Sequence, residues 1–246
     1  MRERGFVDCH SHVLPSGDDG AKTLAEGLEL CEGAARHGTA ILFATPHVWP
    51  HLVLTEERER AVRRAFEQLS RRVPLELRLG FELTPTAALL EEDPRRYTLE
   101  GTDAVLVEVP FTGSGAILVA VAEHVEAAGL RPVIAHPERA EAVLDSPGEA
   151  ARLAERGWLL QVNATSLLGR HGSAPEELAW RVVDEDQTAI VASDGHRAAR
   201  APQLDAAYEL VRERVGEERA ARLFDGSALG LASPRPIPSR AAARGA

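Results

Sequence analysis

Short apolar runs alternate along the chain with longer amphipathic stretches. Residues 5–12, "GFVDCHSH", read as a first strand. Residues 23–38, "TLAEGLELCEGAARHG", read as a helix, with Leu24, Leu28 and Cys31 near helical spacing and Gly38 as its stop. The pattern repeats. "AILFATPH" (40–47) is a second strand and precedes the charged helix "TEERERAVRRAFEQLSRR" (55–72), opened by a threonine cap. "LELRLGFEL" (75–83) is a third strand and "AVLVEVP" (104–110) a fourth, the latter followed by helical "AILVAVAEHVEAAG" (116–129). "RPVIAHP" (131–137), "LLQVNATS" (159–166) and "TAIVASDGH" (188–196) are the fifth to seventh, and "QLDAAYELVRERVG" (203–216) is a closing helix. Strands alternating with helices at this pitch predict parallel βα units, and seven are counted. With no linker and no repeat, residues 1–231 are expected to form a single domain. Residues 232–246, rich in Pro, Arg and Ala without periodicity, are expected to be a disordered tail.

A barrel of such units would be packed inside and would place its chemistry at the C-terminal ends of the strands. In chain order those ends carry His10 and His12, His47, Glu82, Glu108, His136, Asn163, then Asp194 with His196. Every strand thus ends in a group able to coordinate a metal or bind a ligand. The other histidines, His37, His51, His124 and His171, fall in helices or loops. Asp8, His10 and His12 alternate, so a regular strand would set them on one face. Ionisable groups buried there need partners, and a metal centre supplies them. Glu108 within "AVLVEVP" would otherwise be a buried, unpaired carboxylate. Asp8 is expected to orient a ligand rather than be one. Asn163 could hydrogen-bond substrate or merely local backbone, and Asp18 reads as a turn residue before Gly20.

Bulk properties narrow the classes. Hydrophobic content of 44% and charged content of 27% are ordinary for a soluble domain. A net charge of −10 argues against binding nucleic acid or an anionic membrane through bulk charge. No apolar run approaches the roughly 18 residues of a membrane span, and "MRERGFVDCH" lacks the character of a signal peptide. Cytoplasmic location and no membrane insertion are therefore expected. Cys9 and Cys31 are too few for a disulfide framework. Neither opens a C-x5-R phosphate loop, because Pro15 and His37 occupy the arginine position.

At these residues the sequence resembles the polymerase-and-histidinol-phosphatase (PHP) superfamily, and within it the metal-dependent bacterial tyrosine-protein phosphatases of capsule and exopolysaccharide synthesis. The stretches that carry the resemblance are "DCHSHVLPSGDDGAKT", "ATPH", "GFEL", "VLVEVP", "PVIAHPER", "QVNATSLLG" and "ASDGHRAARAP", in order from residue 8 to 202. Two stretches depart from the pattern. "HRAARAP" is one residue shorter, and "VWPHLVLT" after His47 lacks the usual residues. The resemblance implies a distorted seven-unit (β/α) barrel of the α/β class, in agreement with the count of units.

The resemblance also implies three divalent ions. His10, His12, Glu82 and Asp194 would hold the first, and Glu82 would bridge to a second completed by Glu108 and His136. Asp19, His47 and His196 would hold the third, while Arg139 and Arg200 would contact phosphoryl oxygens. Imidazole and carboxylate donors without thiolate suit Mn²⁺, Fe²⁺ or Zn²⁺, and the family points to manganese. Water between two such ions would lose a proton near neutral pH and attack phosphorus. The activity implied is hydrolysis of phosphotyrosine on a protein, with a bacterial tyrosine kinase controlling polysaccharide synthesis as the expected partner. Three alternatives stay open: a histidinol-phosphate phosphatase, a nucleic-acid phosphoesterase, which the acidic charge disfavours, and a non-enzymatic metal-binding partner module.

Overall fold

The computed structural model describes residues 5–110, 115–146, 148–232 and 234. The expected tail at 232–246 lies, apart from residues 232 and 234, outside them. The strands among the described residues are β1 (Phe6–Asp8), β2 (Thr39–Ala44), β3 (His47–Val48), β4 (Glu76–Leu79), β5 (Glu82–Leu83), β6 (Ala104–Glu108), β7 (Arg131–Ala135), β8 (Leu159–Asn163) and β9 (Thr188–Ala192). The helices are α1 (Leu24–Arg36), α2 (Glu56–Ser70), α3 (Ala116–Ala127), α4 (Glu141–Leu144), α5 (Gly148–Glu155), α6 (Ala164–Leu167), α7 (Ser173–Asp184), α8 (Asp205–Val215) and α9 (Glu217–Phe224).

All named strand pairs are parallel, in the orders β1-β2-β4 and β3-β5-β6-β7-β8-β9. The two sheets are one barrel. β2 and β3 are two pieces of one strand, broken at Thr45–Pro46, where proline has no N–H to continue a ladder. β4 and β5 are likewise broken at Gly80–Phe81. Gly80 N–H still donates to Ala44 O at 2.9 Å, and Glu82 N–H to Pro46 O at 3.2 Å, across the breaks. The final seam lies between the chain after β1 and the chain after β9. There Asp194 N–H donates to His10 O at 2.9 Å and His12 N–H to Gly195 O at 2.7 Å. Seven strand units thus close on one another, in a ring distorted by the two breaks.

The core has two layers. Val105 and Val107 of β6 share a cluster with Leu118, Val121 and Val125 of α3, which places it between strands and helices. The alternate residues Ala104 and Leu106 cluster with Val7, Cys9, Phe43, Val133 and Ile190 and fill the barrel. Cys9 and Cys31 are buried free thiols. Helix ends follow local chemistry: Thr23 and Thr55 accept hydrogen bonds from Glu26 N–H and Arg58 N–H, and α1 ends at Gly38 with φ +90°.

Candidate metal centre

The apolar filling of the barrel stops where the strands end, and a buried set of polar side chains takes over. His10 and His12 follow β1, His47 opens β3, Glu82 opens β5 and Glu108 closes β6. His136 follows β7, and Asp194 and His196 follow β9. All eight are buried, whereas Asp19 is exposed. His136 (φ +36°) and Asp194 (φ +52°) adopt the left-handed backbone region, uncommon for residues with a Cβ. Such strain persists where surrounding contacts over-determine a side chain's aim.

Their donor atoms converge. His10 Nε2 lies 3.1 Å from His12 Nε2, and Glu82 Oε2 lies 3.0 and 3.2 Å from these two nitrogens. Asp194 Oδ1 is 3.4 Å from each of them. Ligands bound at roughly 2.0–2.2 Å to one tetrahedral or octahedral ion stand about 2.8–3.6 Å apart. The observed spacings therefore fit a cation. His136 Nε2 lies 3.0 Å from Glu82 Oε1 and His47 Nδ1 2.9 Å from Glu82 Oε2, so Glu82 reaches both sides of the cluster. Asp19 Oδ1 lies 3.2 Å from His196 Nε2 and 3.6 Å from His47 Nε2, with His12 in the same group. Glu108 groups with His47 and Glu82, and His136 with His10 and Glu82. Glu82 is common to both groups and links Glu108 with His136.

Hydrogen bonding also suits a cation. Gln161 Nε2–H donates to Asn163 Oδ1 at 2.8 Å, and Asn163 Nδ2–H donates to Asp194 Oδ2 at 2.9 Å. Gln161 Oε1 is then left as acceptor for His10 Nδ1–H at 2.9 Å. A neutral His10 with its proton on Nδ1 turns the Nε2 lone pair toward His12 and Glu82. Glu82 Oε2 is buried without a hydrogen bond among the described residues despite its close nitrogens. Carboxylate crowding adds to this. Burial, reinforced by the neighbouring Glu82 charge, pushes Glu108 up to about 8. For Glu82 burial would raise the pKa, but the imidazoles of His10, His47 and His12 outweigh it and hold the group well below the usual range. Divalent cations would relieve that repulsion.

Arg139 Nη1 donates to Asp194 Oδ2 at 2.7 Å, and Arg200 Nη2 lies 3.6 Å from Asp194 Oδ1 and against His196. Both arginines line a cleft of 470 Å³ together with Asp19, His47, Glu108, His136, Asp194 and His196. Asp8 faces elsewhere. β1 ends at Asp8, so the alternation expected through His12 is lost. Its Oδ1 accepts from Ser193 N–H at 3.0 Å and His10 N–H at 3.4 Å, tying the β1 and β9 ends together.

Asp18 is more than the turn residue expected. It is buried, accepts from Gly20 N–H at 3.1 Å and His47 N–H at 3.1 Å, and sits 3.5 Å from His12 Nδ1. Two further residues carry no expected role in the sequence reading. Glu138 is buried and accepts from Asn163 N–H at 3.0 Å and the Ser166 hydroxyl at 2.7 Å. Gln161 is the other, and its signal was available: a polar residue two before Asn163 in a buried strand must share its face. Gln161→Leu is expected to weaken metal affinity about 10- to 100-fold, as loss of a group orienting a ligating histidine does. Metal titration followed by calorimetry checks this; unchanged affinity would show that His10 needs no orienting partner.

A family model for capsular polysaccharide synthesis proteins, CpsB/CapC, matches residues 6–230. The chain belongs to this family. It is 29% identical over 250 residues to the tyrosine-protein phosphatase YwqE of Bacillus subtilis, covering 96% of this chain and 98% of that one. It is also 29% identical over 237 residues to the tyrosine-protein phosphatase CpsB of Streptococcus agalactiae, covering 89% and 95%. A crystal structure from the work on B. subtilis YwqE and Streptococcus pneumoniae CpsB, described as unique metal-dependent tyrosine phosphatases, superposes with a TM-score of 0.80 at 28% identity. It covers 94% of this chain and 98% of that chain. An inactive dihydroorotase-like domain from Chaetomium thermophilum shares the fold alone, with a TM-score of 0.61 at 11% identity. The CpsB/CapC chain described here thus has the distorted PHP-type barrel.

Proposed function

We propose that this chain is a metal-dependent protein-tyrosine phosphatase. The observation that carries the reading is the convergence of His10, His12, Glu82 and Asp194 at cation spacing beside two arginines in an open cleft. The names of its CpsB/CapC relatives support phosphotyrosine as the substrate.

We assign three divalent ions to His10, His12, Asp19, His47, Glu82, Glu108, His136, Asp194 and His196, with manganese the expected metal and Fe²⁺ or Zn²⁺ competent. Bound there, such ions would acidify water and offset charge on phosphoryl oxygens. The rest falls to side chains. Asp194 holds Arg139 through Oδ2, aiming the planar guanidinium into the cleft, where it and Arg200 would take phosphoryl oxygens and counter the charge that grows in the transition state. Gln161 holds the His10 proton on Nδ1, and Asn163 anchors Asp194. A tyrosine phenol, with a pKa of about 10, departs as phenolate with modest help. The expected protein substrate is a bacterial tyrosine kinase of polysaccharide synthesis, met in the cytoplasm. Among the described residues no helix is long and apolar enough to cross a membrane.

The test is phosphate release by manganese-loaded protein from a phosphotyrosyl peptide and from histidinol phosphate, before and after chelation. A higher kcat/KM for the peptide, lost on chelation and restored by metal, is expected. Preference for histidinol phosphate would retain the centre and replace the substrate.

A further inference from the structure

We infer that Trp49 is the specificity-determining wall of the cleft, a rigid aromatic group against which the phenyl ring of an aryl phosphate packs. This rests on the phosphatase reading above and names what in this chain would select an aromatic ester. Trp49 is half-buried and lines the cleft that holds Arg139 and Arg200. Its ring stacks on His47, with centroids 4.4 Å apart and planes at 27°, so its position is referenced to the metal-binding groups themselves. The exposed ring of His51 stacks on Trp49 in turn, at 5.2 Å and 26°, which continues the step to the rim. Pro50 and Pro110 extend the apolar lining. A phosphoryl group held by the arginines needs none of this surface; an aromatic leaving group does.

This group is held in place before any substrate arrives. Leu52 N–H donates to Trp49 O at 3.0 Å and closes a tight turn. Arg58 of α2 then clamps that turn from behind. Its Nη1 donates to Leu52 O at 2.8 Å, its Nη2 to His47 O at 2.8 Å, and its Nε to Ser16 O at 3.2 Å. A guanidinium committed to three backbone carbonyls leaves the turn little freedom, so little ordering cost falls on substrate binding. A rigid aromatic group set this way recognises a ring by edge-to-face or offset contact, beyond the area it buries.

The experiment compares kcat/KM for phenyl phosphate with that for glycerol 2-phosphate in the wild type, Trp49→Leu and Trp49→Phe, all manganese-loaded. Leucine keeps apolar bulk and removes the aromatic ring; phenylalanine restores one. The aryl-to-alkyl ratio is expected to fall about five- to tenfold in the leucine variant, mainly through KM, and to recover at least half of that loss in the phenylalanine variant. A wild-type enzyme without aryl preference would overturn the phosphotyrosine reading itself. A wild-type preference that persists in Trp49→Leu would overturn the role of Trp49 alone. Equal losses on both substrates in both variants would make Trp49 a support for His47, and would also overturn it.

Discussion

Asp194→Asn is expected to lower kcat/KM for a phosphotyrosyl peptide by about 10³-fold or more, some 4 kcal/mol of transition-state stabilisation. Six groups among the described residues are arranged around this one buried carboxylate. Oδ1 faces the Nε2 atoms of His10 and His12 and Nδ1 of His196 at 3.4 Å and Arg200 at 3.6 Å, and Oδ2 accepts from Arg139 at 2.7 Å and Asn163 at 2.9 Å. Burial would raise its pKa, but the neighbouring imidazoles of His10, His12 and His136 and the Arg200 guanidinium hold it well below the usual range. It is therefore a carboxylate throughout the neutral range. Asparagine keeps the volume and removes the charge. It also turns an amide N–H₂, which cannot accept, toward either the histidines or the donors Arg139 and Asn163. Metal content should fall, the arginine should lose its anchor, and the circular dichroism should stay near wild type because the substitution leaves no cavity. Metal analysis and steady-state kinetics on one preparation check this. Wild-type turnover with full metal content would refute both the ligand and the anchoring role.

The candidate ligands were legible because a barrel strand is buried on both faces, which leaves a polar residue at its end nothing to do except function. That reasoning finds Glu82, Glu108, His136 and Asp194 from position alone. It fails where one residue's task is defined by another distant in sequence. Asp18 looks like an Asx turn because its bond to Gly20 N–H is local, yet its contacts with His12 and His47 exist only after the barrel closes. Gln161 and His10 are 151 residues apart. The strand breaks at Thr45–Pro46 and Gly80–Phe81 were hidden because "AILFATPH" and "LELRLGFEL" each keep an apolar character through the bend. The helices α5, α7 and α9 fall outside those that the sequence pattern predicts. In α7 the buried set Leu178, Ala179, Val182 and Val183 carries helical spacing, but a Gly-Ser-Ala-Pro opening resembles a loop.

Gly20→Ala is the substitution expected to damage the centre most without touching a donor atom. A Cβ there would stand 2.3 Å from His12 O and 2.5 Å from His12 Cβ. Neither side can withdraw freely. His12 is tied by its N–H to Gly195 O at 2.7 Å and by its carbonyl to Ala21 N–H at 2.9 Å. Gly20 is tied through its N–H to Asp18, whose other oxygen accepts from His47 N–H. The displacement must therefore pass into His12, Asp18 or Asp19, all of which set the donors of the cluster. Overpacking of this kind costs about 1–3 kcal/mol, a fall of roughly 2–12 °C in Tm for a chain of this size. A ligand shifted by the better part of an ångström costs about 10²-fold in kcat, out of proportion to the stability lost. Gly33→Ala is the matched control. Gly33 lies within α1, its added Cβ would meet only Arg36 Nη2 at 3.8 Å, and alanine in a helix gains up to about 1 kcal/mol over glycine. Thermal melts and metal-saturated kinetics on both variants separate the effects. Should Gly20→Ala lose stability yet keep wild-type kcat, the contact with His12 would be one of packing alone, and the tight seat of His12 would have no part in turnover.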